Sequence, residues 1–139
     1  KEQAVTKFEQ IVEKNPKASQ PAFLLALIFQ RDGKLQKAKL QYQSILEHDP
    51  NFLPAANNLA YLIVETETAK KDLQRALALA KKGAHTENPV FLDTLGWVHH
   101  KLGQDKLALK YLEKARDKDP ENTDIQGHLD RIRSRTARD

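Results

Sequence analysis

The residues best suited to chemistry lie in the stretch "DTLGWVHHK", which begins at Asp93 and holds the only tryptophan and two adjacent histidines. Histidines near carboxylates can ligate a metal or move a proton, and Asp105 follows a few residues later. Consecutive residues on a helix point about 100° apart, so His99 and His100 cannot face one metal ion together. No HExxH pattern is present. We therefore expect structural histidines, with no metal, cofactor or catalytic site.

Other motifs for catalysis are missing from the sequence. The chain has no cysteine, which excludes a disulfide framework, a thiolate nucleophile and cysteine-ligated zinc. The GxxxxGK[ST], GxGxxG and GxSxG patterns do not occur. The formal net charge is +4, from 23 basic and 19 acidic residues, which is too mild to indicate nucleic-acid binding by itself. These features favour a binding protein over an enzyme.

The elements that position these residues follow from an internal period. The strings "EKNPK", "EHDPN" and "DKDPE" recur, with prolines at Pro16, Pro50 and Pro120. The first two prolines are 34 residues apart and the next gap is 70, so another unit lies between Pro50 and Pro120. Leucine, small residues and large residues recur at matching places: Leu25, Ala26, Gly33, Ala38 and Tyr42, and again Leu95, Gly96, Gly103, Ala108 and Leu112.

This pattern resembles the tetratricopeptide repeat, a helix–turn–helix unit of about 34 residues. The resemblance implies an all-α fold: a right-handed α-solenoid of about eight helices, forming a single domain over residues 1–139. The predicted units are the second helix of a partial unit at 1–18, repeats at 19–52, 53–88 and 89–122, and a capping helix at 123–139. From Leu59 to Ala76 the middle repeat is four residues longer than its neighbours. We expect the loop "ETETAKKD" to carry them.

Local signals mark the ends and contacts of these helices. Ser19 and Asn88 stand just upstream of predicted helices and can cap their free amides. Gly33 and Gly103 stand where short turns need left-handed backbone. Gly96 removes side-chain bulk where the two helices of a repeat should approach closely.

In this family the first helices line a concave groove that binds ligands. Chaperone-binding members hold a peptide's terminal carboxylates with a clamp of lysine, arginine and asparagine. Only Asn58 matches that clamp, because Phe23, Leu27, Val90 and Thr94 occupy its other positions. We therefore expect an apolar and aromatic groove with central asparagines, and no chaperone co-factor role. The predicted partner-binding residues are Phe23, Leu27, Asn57, Asn58, Tyr61, Asp93, Trp97 and His128.

The resulting hypothesis is a non-catalytic scaffold that binds a protein or peptide partner. Units such as "NNLAYLIVE" and "DTLGW" resemble those of bacterial repeat proteins of exopolysaccharide export and envelope assembly, which suggests that setting. Self-assembly through the solenoid ends is an alternative, because Ala4, Phe8 and Ile11 would lack a preceding helix. Nucleic-acid binding is a weaker alternative, through the tail residues Arg131, Arg133, Arg135 and Arg138.

The compartment stays open between cytoplasm and periplasm. The longest apolar runs, such as "AFLLALIF", are too short to span a bilayer, and no signal peptide is visible. The chain begins at Lys1 and contains no methionine. We therefore expect a fragment of a longer bacterial protein, with no membrane insertion of this fragment.

Overall fold

The computed structural model describes residues 2–138, with the side chains described as far as Ala137, and its regular structure over that range is entirely helical. A single 3-10 turn, Ala84–Thr86, lies between the fifth and sixth helices. No helix in this range is long and apolar enough to cross a membrane. The predicted all-α helical repeat fold and its eight helices are confirmed. In chain order the helices are α1 (Glu2–Lys14), α2 (Ser19–Arg31), α3 (Leu35–His48), α4 (Leu53–Thr66), α5 (Lys70–Lys81), α6 (Pro89–Lys101), α7 (Asp105–Lys118) and α8 (Thr123–Arg138).

Each helix packs mainly on its neighbours in sequence. The pairs α2–α3, α4–α5 and α6–α7 form the repeats, and α4 also contacts α6, which in turn contacts α8. The first helices α4 and α6 and the cap α8 therefore lie side by side. A helix pair cannot bury its apolar face alone, so the stack supplies the core.

Small residues set the spacing within the pairs, and Gly96 is the clearest case. A Cβ atom added there would lie 2.8 Å from Cγ of Leu112 and 3.0 Å from the carbonyl oxygen of Ala108. Such distances are too short for a side chain, so α6 approaches α7 as predicted. The turns after α2 and α6 contain Gly33 and Gly103 at φ +77° and +79°. Their predicted left-handed conformation is confirmed.

One predicted helix cap is confirmed and the other is wrong. The Asn88 side chain accepts a hydrogen bond from the amide of Val90 (2.9 Å) and caps α6. Ser19 is instead the first residue of α2, and its hydroxyl donates to a carboxylate oxygen of Asp49 (3.2 Å). It ties the start of α2 to the end of α3, because the two helix ends meet there.

The four extra residues of the middle repeat do not lengthen its loop, contrary to the sequence-based expectation. The link from α4 to α5 is residues 67–69, as short as the links 32–34 and 102–104. One extra residue extends α4, and the other three lengthen the start of α5 ahead of Ala76. Lysine is a good helix former, and "KKD" forms the first turn of α5.

The end of α5 is correspondingly shortened. The helix stops at Lys81, and the 3-10 turn follows it. Gly83 lies at this break, and a Cβ atom there would be 2.8 Å from Cδ2 of Phe91. The absent side chain lets the start of α6 pack against the end of α5. The lining side chains of α6 are thereby placed beside those of α4.

Candidate functional site

A cleft of about 520 Å³ lies between α4, α6 and α8. Five of the eight residues predicted to bind a partner line it: Asn57, Asn58, Tyr61, Asp93 and His128. The cleft is also lined by residues outside the predicted binding set: Gln30, Val90, Thr94, Thr123, Asp124, Gly127 and Arg131. Three predicted residues, Phe23, Leu27 and Trp97, lie outside the lining.

A row of hydrogen bonds fixes the amides on one wall of the cleft. Asn57 Nδ2 donates to Asn58 Oδ1 (3.2 Å), and Asn58 Nδ2 donates to the hydroxyl of Tyr42 (3.2 Å). That hydroxyl donates in turn to Gln30 Oε1 (2.7 Å). Tyr42 is fully buried, and burial raises the pKa of its hydroxyl while the bond from Asn58 lowers it. A core tyrosine thus holds the cleft amides in position.

Asn57 carries an unsatisfied group in this wall. The residue is 8% exposed, and its Oδ1 is covered without a hydrogen-bond partner among the described residues. Leaving a buried acceptor unpaired costs about 1–3 kcal/mol. Most such groups in folded proteins are paired, and a turn of the amide toward the cleft would let a ligand supply the missing donor.

The opposite side of the cleft contains a carboxylate–imidazole pair. Nδ1 of His128 lies 2.8 Å from Oδ1 of Asp93, and both side chains are mostly buried. An ionised carboxylate can only accept, so Nδ1 of His128 carries the hydrogen of this bond. The pair joins α8 to α6 across 35 residues of sequence.

Trp97 lies beneath the cleft and supports His128. It is 1% exposed, and its ring stacks on His128 with centroids 4.2 Å apart and planes 22° apart. Its Nε1 donates to Glu65 Oε2 (3.3 Å), which joins α6 to the end of α4. The ring of His100 lies 4.9 Å away, centroid to centroid. The structure therefore places Trp97 where it positions the cleft residues from below.

Tyr61 presents a hydroxyl that stays protonated at ordinary pH. Its pKa is raised to about 12, first by burial and then by the negative charge of Glu65 and a hydrogen bond with it. The charges of Asp93 and Asp124 add smaller contributions in the same direction. Three carboxylates therefore surround one tyrosine at this site.

Phe23 and Leu27 lie on α2, away from the cleft. The ring of Phe23 packs against Tyr42 and Phe52, with centroid distances of 5.9 and 5.5 Å. Leu27 is half-buried on the same helix. Phe23 thus contacts the protein's own aromatic side chains, and the role of both residues in binding stays a prediction.

The two adjacent histidines have separate structural partners. His99 stacks on Tyr111 with centroids 5.5 Å apart, and its Nδ1 lies 2.7 Å from Gln104 Oε1. His100 Nδ1 lies 2.8 Å from Asp105 Oδ1. His100 is 8% exposed, because this bond and the tryptophan ring hold it in the core. Within residues 2–138 no group of three or more His, Cys, Asp or Glu side chains could hold a metal ion.

The surfaces behind the two alternative functions lie at opposite ends of the stack. At the first, Ala4 is exposed and Ile11 is 39% exposed, while Phe8 packs partly against the core. At the second, Arg133 pairs with Glu113 (3.2 Å) and Arg135 with Asp105 (3.7 Å) on α7. Arg131 lies over the Trp97 ring (5.8 Å), and the Arg138 side chain is outside the described part. Self-assembly and nucleic-acid binding both stay predictions.

The chain is similar to known repeat proteins over nearly all of its length. Residues 2–128 match the family model described as the tetratricopeptide repeat. A curated relative, the TPR repeat-containing protein PA4667 of Pseudomonas aeruginosa, is 21% identical over 104 residues. That match covers 75% of this chain, which spans only 17% of the relative's length.

Two solved structures show how closely the fold agrees. MamA 41-end from Desulfovibrio magneticus RS-1 superposes with a TM-score of 0.80 at 19% identity, covering 98% of this chain and 76% of that one. YrrB, described as a TPR protein with an unusual peptide-binding site, gives 0.71 at 26% identity, covering 88% and 62%. With the family model matching most of its residues, this chain belongs to the tetratricopeptide repeat family.

Proposed function

We propose that this chain is a non-catalytic interaction scaffold that holds a segment of a partner protein in the cleft between α4, α6 and α8. The observation that carries the proposal is the unpaired acceptor of Asn57 in a wall whose other amides are already fixed by hydrogen bonds. A preformed site loses little conformational freedom on binding, which favours affinity. The similarity to YrrB, described as peptide-binding, supports the same class of ligand.

The mixture of side chains in the cleft suits a peptide. Asn57, Asn58 and Tyr61 offer hydrogen-bonding groups, and an amide both donates to and accepts from a peptide backbone. Val90 at the edge is 47% exposed and offers an apolar surface for a partner side chain. Asp93 and His128 bond to each other and hold α8 against α6. The pair therefore supports the cleft and also forms part of its recognition surface.

The proposal is tested with two tyrosines of similar burial. Random peptides displayed on phage are selected on the intact chain, and the best binders are measured on Tyr61→Ala and Tyr111→Ala. Tyr61 lines the cleft, whereas Tyr111 is a half-buried tyrosine on α7. Truncating a central aromatic anchor costs about 2 kcal/mol or more of binding energy, so only Tyr61→Ala should bind much more weakly. Equal affinity for the two variants would move the site away from the cleft.

We also propose a setting in a bacterial envelope or polysaccharide-export assembly. Only the sequence resemblance of "NNLAYLIVE" and "DTLGW" supports this setting. A pull-down from a bacterial lysate with this chain as bait tests it. Specific recovery of envelope or export proteins is expected, and specific recovery of partners from an unrelated process would contradict the setting.

A further inference from the structure

We propose that the cleft recognises a basic side chain, arginine or lysine, in the partner segment. The inference rests on the proposed function, since it assumes that a peptide segment occupies the cleft. It reverses the charge expected of a carboxylate clamp, whose lysine and arginine positions are not basic in this chain.

Unused hydrogen-bond acceptors are the first argument. Asn57 is more than nine-tenths buried, and its Oδ1 has no partner among the described residues. The bond from His128 uses only Oδ1 of Asp93, which leaves Oδ2 of that carboxylate for a ligand. Guanidinium and ammonium groups are donors without acceptors. They suit these two acceptors, whereas an acidic side chain has no hydrogen to donate to them.

Charge is the second argument. The chain has a formal net charge of +4, yet the cleft is lined by two carboxylates, Asp93 and Asp124, and one guanidinium, Arg131. Asp124 is exposed and forms no ion pair among the described residues. Arg131 lies over the face of Trp97 at 5.8 Å from the ring centroid. A basic group from the partner would therefore meet uncompensated negative charge at the mouth of the cleft.

The walls also suit the aliphatic part of a basic side chain. Arginine and lysine cover apolar surface with their methylene groups while the charged end stays among polar partners. Tyr61 and the exposed edge of Val90 provide such a surface beside the acceptors. The carboxylates and the amide of the cleft would thus bind the charged end of the side chain, and the apolar wall would contact its methylene groups.

The experiment uses the phage-selected peptides described above and two matched carboxylate variants. Asp124→Asn removes an exposed charge from the cleft, and Asp117→Asn removes an exposed charge from the end of α7. Each selected peptide is also made with its basic residue replaced by norleucine. A charge-assisted hydrogen bond contributes enough that its loss weakens binding about ten-fold or more.

The expected result is enrichment of arginine or lysine at one position of the peptides. The norleucine peptide and the Asp124→Asn variant should each bind about ten-fold more weakly. Their effects should not add, because they remove the same interaction, and Asp117→Asn should change nothing. Peptides that depend on Tyr61 but carry uncharged or acidic residues would overturn this inference and leave the proposed function standing. Peptides indifferent to Tyr61 would overturn both.

Discussion

The two halves of the groove use equivalent repeat positions in different ways. On α2, the half-buried ring of Phe23 packs against Tyr42 and Phe52. One repeat later, on α4, the equivalent position is Asn57, which lines an open cleft. The same backbone geometry thus gives a closed aromatic contact at one end and a polar site at the other.

What faces these positions explains part of the difference. On the α8 side of the cleft stands Gly127, where an added Cβ atom would meet nothing within 4 Å. Beneath it, the rings of Trp97 and His128 stack on each other. The indole nitrogen of Trp97 bonds to Glu65, and Nδ1 of His128 bonds to Asp93. A site in such a repeat array therefore depends on the residues that the neighbouring unit supplies as much as on its own.

The largest change in stability is expected at Gly96, which lies in a packed helix contact, and Gly127, which faces open space, is its control. Gly96→Leu should destabilise the fold by about 1–3 kcal/mol, because α7 leaves no room for a side chain. Gly127→Leu should preserve stability, since leucine favours helix over glycine by nearly 1 kcal/mol, and should obstruct peptide binding. Denaturant unfolding of both variants measures the stability, and titration with a selected peptide measures the binding. An unchanged midpoint for Gly96→Leu would contradict the described α6–α7 contact.

A smaller effect is expected where the core supports the cleft. Tyr42→Phe removes the hydroxyl that accepts from Asn58 and donates to Gln30. The loss of a buried hydrogen bond should cost about 1 kcal/mol of stability and should also weaken peptide binding by releasing the amide. The control is Tyr111→Phe, on α7 outside the cleft lining. Weakened stability with unchanged peptide affinity would show that the hydrogen-bond row does not position the amides.

Alkaline pH gives a third test at the cleft. The pKa of Tyr61 is raised from 10.0 to about 12, first by burial and then by Glu65. Since the folded state keeps this proton while the unfolded state loses it, the free energy of unfolding should fall as pH rises from 10 to 12. The contribution is fully present below pH 10. Tyr61→Phe should reduce the fall, as measured by denaturant unfolding at several pH values, and an identical pH profile would contradict the assignment.

The smallest effect is expected in the arginine tail. Arg133→Ala and Arg135→Ala remove ion pairs between largely exposed arginines and α7, and such pairs contribute about 1 kcal/mol at most. Peptide affinity should be unchanged, because neither residue lines the cleft. Retention on immobilised DNA or RNA should be weak in the intact chain. Strong, salt-dependent retention lost in the double variant would favour the nucleic-acid alternative.

The sequence predicted the repeat fold because its signals are local and periodic. Gly96, Gly33 and Asn88 each act within one helix pair or turn, and their roles were predicted correctly. The bond between Asp93 and His128 was not predicted, since it joins two units 35 residues apart. That both residues line the cleft was predicted from their positions within the repeat alone.

The errors also have physical causes. Ser19 was assigned to its own helix, but the carboxylate of Asp49 lies close enough to compete for its hydroxyl. The extra residues of the middle repeat were assigned to a loop, but "KKD" extends the start of α5, and the helix ends early near Gly83, which packs against Phe91. Repeat length shows that residues have been inserted, while local propensity and packing decide where they go.

The most direct test follows the side-chain amides of the chain by NMR during titration with a selected peptide. If the cleft between α4, α6 and α8 holds the partner, the amide signals of Asn57 and Asn58 and the indole signal of Trp97 should shift and saturate together. Backbone signals of Phe23 and Leu27 on α2 should move little. Saturating shifts on α2 or along the arginine tail, with the two asparagine amides unchanged, would contradict the account.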